Sequence, residues 1–141
     1  MNDLQGDLTI DTSAWIEFFL GTPQGELIKE YLEQPEPKRV FIPIQVLAEI
    51  YYILCRKKGE NYAEHCIKLL SDIKEVTIDS SVALAKEAGK LKCTRTISLT
   101  DCSCIALGKR ANTKVVFARK EKEIEKEETK QPFEVSLLFL E

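Results

Sequence analysis

The sequence predicts an α/β domain on a small, mostly parallel sheet. Three observations predict it. Short apolar runs of the fully buried kind recur, at Leu8 to Asp11, Arg39 to Ile42 and Lys114 to Ala118. Between them lie longer stretches with helical spacing of apolar residues. Turn and cap residues punctuate the two kinds in alternation, which is the signature of strands joined by helical crossovers. The 141 residues, 44% hydrophobic and 30% charged, suit one globular domain over residues 1–141.

Each element has its local reason. The strand Leu8–Asp11 leads into a helix over Thr12–Leu20, stopped by Gly21-Thr22-Pro23. A second helix spans Gly25–Glu33, with Leu27, Ile28, Tyr31 and Leu32 on its apolar side, and Gln34-Pro35-Glu36-Pro37 breaks it. After the strand Arg39–Ile42, Pro43 fits the first turn of a long helix to Lys58. Gly59-Glu60-Asn61 ends that helix, and Asn61 is placed to cap the next, Tyr62–Ile73. A short strand Glu75–Ile78 follows, then a helix capped by Asp79 or Ser80 and running to Lys92. Ser98 caps a helix over Leu99–Ala111, ahead of the strand Lys114–Ala118. A charged helix over Lys120–Glu127, read as a solvated face, precedes the last strand, Phe133–Leu140.

Composition excludes several functions. No apolar run approaches the ~20 residues of a membrane span. The polar opening M-N-D-L-Q-G-D is no signal peptide, so a cytoplasmic protein is expected. Five cysteines, an odd number without a C-x-x-C, read as buried free thiols rather than a disulfide framework or a zinc site. The lone histidine, His65, offers too little for a His-based metal centre or a Ser-His-Asp triad. A net charge of −3 excludes a general polyanion binder, so nucleic-acid contact must come from local basic patches.

Three carboxylates are hard to explain as structure alone. Asp11 ends a buried strand, where open α/β sheets place their chemistry, although it also suits a helix cap. Glu49 is the only charged side chain between Val40 and Cys55, on a helix with little polar face; a bond to a neighbour such as Arg56 is its structural alternative. Asp101 completes a capping-box pattern, Ser98-Leu99-Thr100-Asp101, yet opens the small, apolar helix C-S-C-I-A-L. Three acids converging at one sheet edge repel one another, and a divalent cation would relieve that repulsion. Carboxylate oxygens with retained waters suit Mg²⁺ or Mn²⁺.

These residues, D-T-S at Asp11, I-P…A-E-I at Glu49 and S-L-T-D-C…I-A-L at Asp101, make the chain resemble the PIN domain family. It is similar to the single-domain VapC-type toxins of VapBC toxin–antitoxin pairs, along essentially its whole length. The resemblance implies a three-layer fold with a small parallel sheet between helices. It implies a Mg²⁺- or Mn²⁺-dependent ribonuclease with Asp11, Glu49 and Asp101 as metal-binding acids. Thr12 or Ser13 would steady Asp11 or a metal-bound water. The family's fourth acid follows the strand after the Asp101 helix, where this chain reads V-V-F-A-R-K-E-K-E. Arg119 or Lys120 stands at the expected place, so Glu121 is assigned the role, with Glu123 as the alternate. An RNA substrate, an antitoxin partner and a homodimer are further implications. Lys109, Arg110, Lys114, Arg119 and Lys120, together with Arg56, Lys57 and Lys58, are expected to form a basic rim for RNA. The competing expectation is a PIN-like scaffold that binds RNA or a protein without cutting. A haloacid-dehalogenase-type phosphatase would want an acid where Ser13 stands.

Overall fold

The structure, a computed structural model, describes residues 4–141; the first residues of the polar opening, 1–3, lie outside the described residues. In chain order the elements are β1 (Leu8–Ile10), α1 (Thr12–Leu20), α2 (Pro23–Glu33), β2 (Val40–Pro43), α3 (Ile44–Lys58) and α4 (Glu60–Asp72). Then come β3 (Val76–Asp79), α5 (Val82–Thr94), α6 (Leu99–Ala111), β4 (Lys114–Phe117), α7 (Lys122–Lys130) and β5 (Leu137–Phe139). The five strands form one sheet in the order β3-β2-β1-β4-β5, and every pairing is parallel. The expected α/β class therefore holds, with helices flanking the sheet. Among the described residues no helix is long and apolar enough to cross a membrane.

The strand order decides where a site can form. From β1 the chain steps outward to β2 and β3, then returns across the sheet to β4 and β5. The order thus reverses at β1, and a crevice opens beyond the carboxyl ends of β1 and β4. The central strands are sealed: Leu8, Ile10, Val40, Ile42, Val115 and Val116 are buried. Trp15 of α1 and Tyr31 of α2 are the largest buried side chains, and the Tyr31 hydroxyl donates to the Gly6 carbonyl at 2.6 Å.

Several boundaries differ from the sequence reading, each for a local reason. Pro43 is the last residue of β2 and the N-cap of α3, with ψ 143°, rather than a first-turn residue. It keeps its register with Asp79 of β3, and its missing N–H is still harmless there. α2 begins at Pro23 because the Thr22 hydroxyl accepts the Gly25 N–H at 3.1 Å. Asn61 does not cap α4; Gly59, at φ 98°, turns the chain so that the helix starts at Glu60. Ser81, not Asp79 or Ser80, caps α5 by accepting the Leu84 N–H at 3.1 Å, and that helix runs on to Thr94. Asp79 instead accepts the Ser81 N–H at 2.8 Å and pairs with Arg110. The last strand is shorter than expected, since only Leu137–Phe139 pairs with β4.

The charged run before it is not a uniformly solvated face. It forms α7 over Lys122–Lys130, and Ile124 and Glu127 point inward. Glu127 accepts from Arg95 Nη1 at 3.3 Å and from the Thr96 hydroxyl at 2.9 Å, while Arg95 lies 4.2 Å from the Phe133 ring centre. Those bonds, the Thr96 hydroxyl first, hold the Glu127 carboxyl below its ordinary range. Breaking one partner of such a buried pair strands the other. The pair locks α7 to the segment that ends in Ser98, and so fixes the amino ends of α6 and α7 relative to each other. The cysteines are all free, as expected, but only Cys66, Cys102 and Cys104 are buried; Cys55 is half-buried and Cys93 exposed.

Candidate active site

Asp11 follows β1 and is the N-cap of α1, so the capping and site readings describe the same residue. Its Oδ2 accepts the Ser13 N–H at 2.9 Å and the Ser13 hydroxyl at 2.7 Å. The Ala118 N–H, just after β4, donates to that same hydroxyl oxygen at 2.9 Å. Ser13 therefore ties the ends of β1 and β4 together through the acid. On the other side, the Cys104 thiol of α6 donates to Asp11 Oδ1 at 3.4 Å. Nothing in the sequence reading singled out Cys104. The available signal was its place on α6 one turn beyond Asp101, on the same side of the helix.

Asp11, Glu49, Asp101, Glu121 and Glu123 line one cleft of about 420 Å³, with Thr12, Ser13, Ile53 and Ser98. The acids come from four elements: α1 through its N-cap Asp11, α3, α6 and the amino end of α7. α3 supplies Glu49 and Ile53, one turn apart. α6 presents Asp101 in its first turn, held where the Ser98 hydroxyl accepts the Asp101 N–H at 3.1 Å. Glu121 is the N-cap residue of α7, and Glu123 lies in its first turn. The structure thus brings together all four acids singled out from the sequence and the alternate. Glu49 makes no ion pair with Arg56, whose guanidinium instead lies over the Tyr52 ring.

The electrostatics of the cleft follow from burial and crowding. The Asp101 carboxyl is pushed up from 3.8 to about 7, by burial first, then by the charges of Asp11, Glu49 and Glu121. Asp11 is also raised by burial and by Glu49, against the hydrogen bonds from Ser13 and Cys104 that favour its ionised form. Burial and the Asp11 charge push the Cys104 thiol up, so it stays a neutral donor. Among the described residues, no three acids, thiols or histidine are gathered into a ready cage for a metal ion. What is present is an all-oxygen donor set spread around a cleft. Among the described residues, the buried Thr12 hydroxyl at its wall has no hydrogen-bond partner. Orphaned buried hydroxyls are rare unless a ligand or water meets them. This set fits a hard dication that keeps several waters, as Mg²⁺ does, better than a closed structural site.

The expected basic rim is only partly there. Lys109 pairs with Glu134 at 2.6 Å, and Arg110 with Asp79 at 3.6 Å. Both sit in the last turn of α6, the opposite end from Asp101. Arg119 lies between Glu17 and Glu141, at 3.8 and 3.5 Å, and Lys120 stands over the Phe139 ring. These charges are occupied by neighbours that are distant in sequence, which the sequence order alone could not indicate.

Comparison with known proteins agrees with the fold. VapC20, a sarcin-ricin loop cleaving toxin of Mycobacterium tuberculosis, superposes with a TM-score of 0.67 at 17% identity, covering 85% of this chain and 94% of that one. A DNA-bound VapBC from Salmonella typhimurium gives 0.68 at 13% identity, covering 96% and 98%. A toxin–antitoxin complex from Klebsiella pneumoniae gives 0.65 at 15% identity, covering 95% and 98%. At such identities the likeness is one of fold. No curated relative matches the chain. The sequence matches the PIN domain family over residues 8–126, which takes in β1 through most of α7 and every acid of the cleft. The chain belongs to the PIN domain family.

Proposed function

We propose that this protein is a divalent-metal-dependent endoribonuclease, the toxin of a toxin–antitoxin pair, acting in the cytoplasm. The observation that carries the reading is the shared cleft at the sheet's switch point, which gathers Asp11, Glu49, Asp101 and Glu121, and where burial first and then the charges of the other three push the Asp101 carboxyl up. A protein gains nothing in stability from such crowding, and a bound cation removes its cost. Asp11, Glu49, Asp101 and Glu121 would hold Mg²⁺ or Mn²⁺. When bound, the ion lowers the pKa of a water and neutralises charge on a phosphate oxygen. Ser13 and Cys104 fix the two oxygens of Asp11, so the carboxylate needs no reorganisation. The free Thr12 hydroxyl is left to meet a water or a phosphate oxygen, which divides the roles open to the D-T-S residues.

The scaffold alternative arose from Arg119 and Lys120 at the expected fourth-acid position. Arg119 is drawn out to Glu17 and Glu141, so it does not fill the cleft. An enzyme must bind Mn²⁺ and a scaffold need not, so calorimetric Mn²⁺ titration separates the two. The direct test is cleavage of mixed single-stranded RNA with Mn²⁺, Mg²⁺ or EDTA. Cutting in either metal and none in EDTA is expected; equal cutting in EDTA would overturn the metal role. Glu121→Gln is expected to lower the rate more than Glu123→Gln, because only Glu121 figures among the charges that raise Asp101. The reverse order in the same assay would move the fourth acid to Glu123. An antitoxin that feeds a basic side chain into this cleft follows the same charge logic and accords with the neighbours' toxin–antitoxin complexes, and a homodimer is what the resemblance to VapC-type toxins implies.

A further inference from the structure

α3 carries more than Glu49. Glu49, Tyr52, Ile53 and Arg56 follow at spacings of three, four and seven, which places them on one side of the helix. Glu49 and Ile53 line the acidic cleft, and the next turns lead away from it. There Tyr52 is 45% exposed, an unusual state for an aromatic ring on a helix otherwise anchored by Val46, Ile50 and Leu54. The Arg56 guanidinium stands 4.9 Å from the Tyr52 ring centre. Arg56, Lys57 and Lys58 form the last turn of α3, and none makes an ion pair among the described residues.

We propose that Tyr52 and Arg56 form a stacking platform for a base of single-stranded RNA next to the scissile phosphate. The inference rests on the nuclease reading above and adds the path of the strand. An acidic cleft repels every phosphate except the one its metal holds, so flanking phosphates need cations close by. Arg56 lies about 10 Å along the helix from Glu49, within reach of a neighbouring nucleotide. A half-exposed aromatic ring with a guanidinium over one face offers the outer side of that stacked pair to an unpaired base, and unpaired lysines track the backbone. A protein partner fits less well. Ile44 and Ala48, exposed on the preceding turns, continue an apolar stripe towards Tyr52, but Arg56, Lys57 and Lys58 close the ring's own end of the helix with cations that suit a phosphate backbone better.

The test is steady-state cleavage of a 5′-fluorescein-labelled mixed-sequence RNA in Mn²⁺ by wild type, Tyr52→Ala, Tyr52→Phe and Arg56→Gln. Tyr52→Ala is expected to raise KM about tenfold, with kcat within about twofold, because the lost stacking acts on binding rather than on the chemical step. Tyr52→Phe keeps the ring and should restore the wild-type KM. An unchanged KM in Tyr52→Ala overturns the platform. So does a changed sedimentation coefficient with unchanged KM, which would assign the ring to contact between protein chains. If wild type cuts no RNA, the nuclease reading fails separately. The platform is then read by fluorescence anisotropy with the same RNA, where a tenfold weaker Kd for Tyr52→Ala supports it and an equal Kd overturns it.

Discussion

Asp11→Asn is expected to abolish RNA cleavage, by about 10³-fold or more, and to leave the protein folded. The amide has the shape of the carboxylate, and its oxygen can still accept the Ser13 N–H and hydroxyl, so the cap of α1 survives. The charge does not survive, and with it goes the most deeply enclosed of the acids available to a cation. Burial and Glu49 disfavour the ionised form of Asp11, so a neutral group at this position should melt no earlier than wild type in EDTA. Thermal melting with and without Mn²⁺ completes the test. Wild type should be stabilised by the ion and the variant should respond far less. An unfolded variant would make the carboxylate chiefly a cap, with the cleft's acidity incidental.

The sequence made most of this site legible because its informative residues sit next to strong local signals. Asp11 and Pro43 both stand at the carboxyl ends of buried strands, so their place at that edge follows once the strands are recognised. Asp101 was legible through Ser98, whose capping pattern fixes where α6 begins. What stayed hidden was the set of contacts that cross the fold. Cys104 meets Asp11 across 93 positions of chain, and no periodicity encodes that. Arg95 and Glu127 look like ordinary surface charges in their own segments, and only the packing of α7 on the segment before α6 makes them a buried pair. The part of the basic rim expected at Lys109 and Arg110 was misplaced for the same reason. Lys109 and Arg110 are near Asp101 in sequence, but a helix separates its two ends by its whole length. By contrast the α3 stripe was readable as spacing, although nothing local told Tyr52, which is exposed, from Tyr31, which is core.

In EDTA the protein is expected to melt at a lower temperature at pH 8 than at pH 5, the reverse of the usual behaviour of a protein rich in carboxylates. The sign follows from Asp101. In the unfolded chain its proton leaves near the ordinary 3.8, whereas in the folded protein it is held to about 7. Between those values the folded state binds more protons than the unfolded one, so stability falls as pH rises through the window. The slope from this one group is at most about 1.4 kcal/mol per pH unit, and it levels off above pH 7. Asp11, also raised, acts in the same direction. Asp79 and Glu127 are held low and act oppositely, but their stabilisation is lost only below the ordinary carboxylate range, outside this interval. Mn²⁺ or Mg²⁺ should invert the order, because the ion binds the ionised carboxylates and competes with protons for them. Asp101→Asn should flatten the EDTA profile while keeping the Ser98 cap, which uses the backbone N–H of residue 101. A wild-type melt in EDTA that rises from pH 5 to pH 8 would mean that the acids do not share charge in solution. The crowding would then no longer support a cation site, and the nuclease reading would lose the observation that carries it.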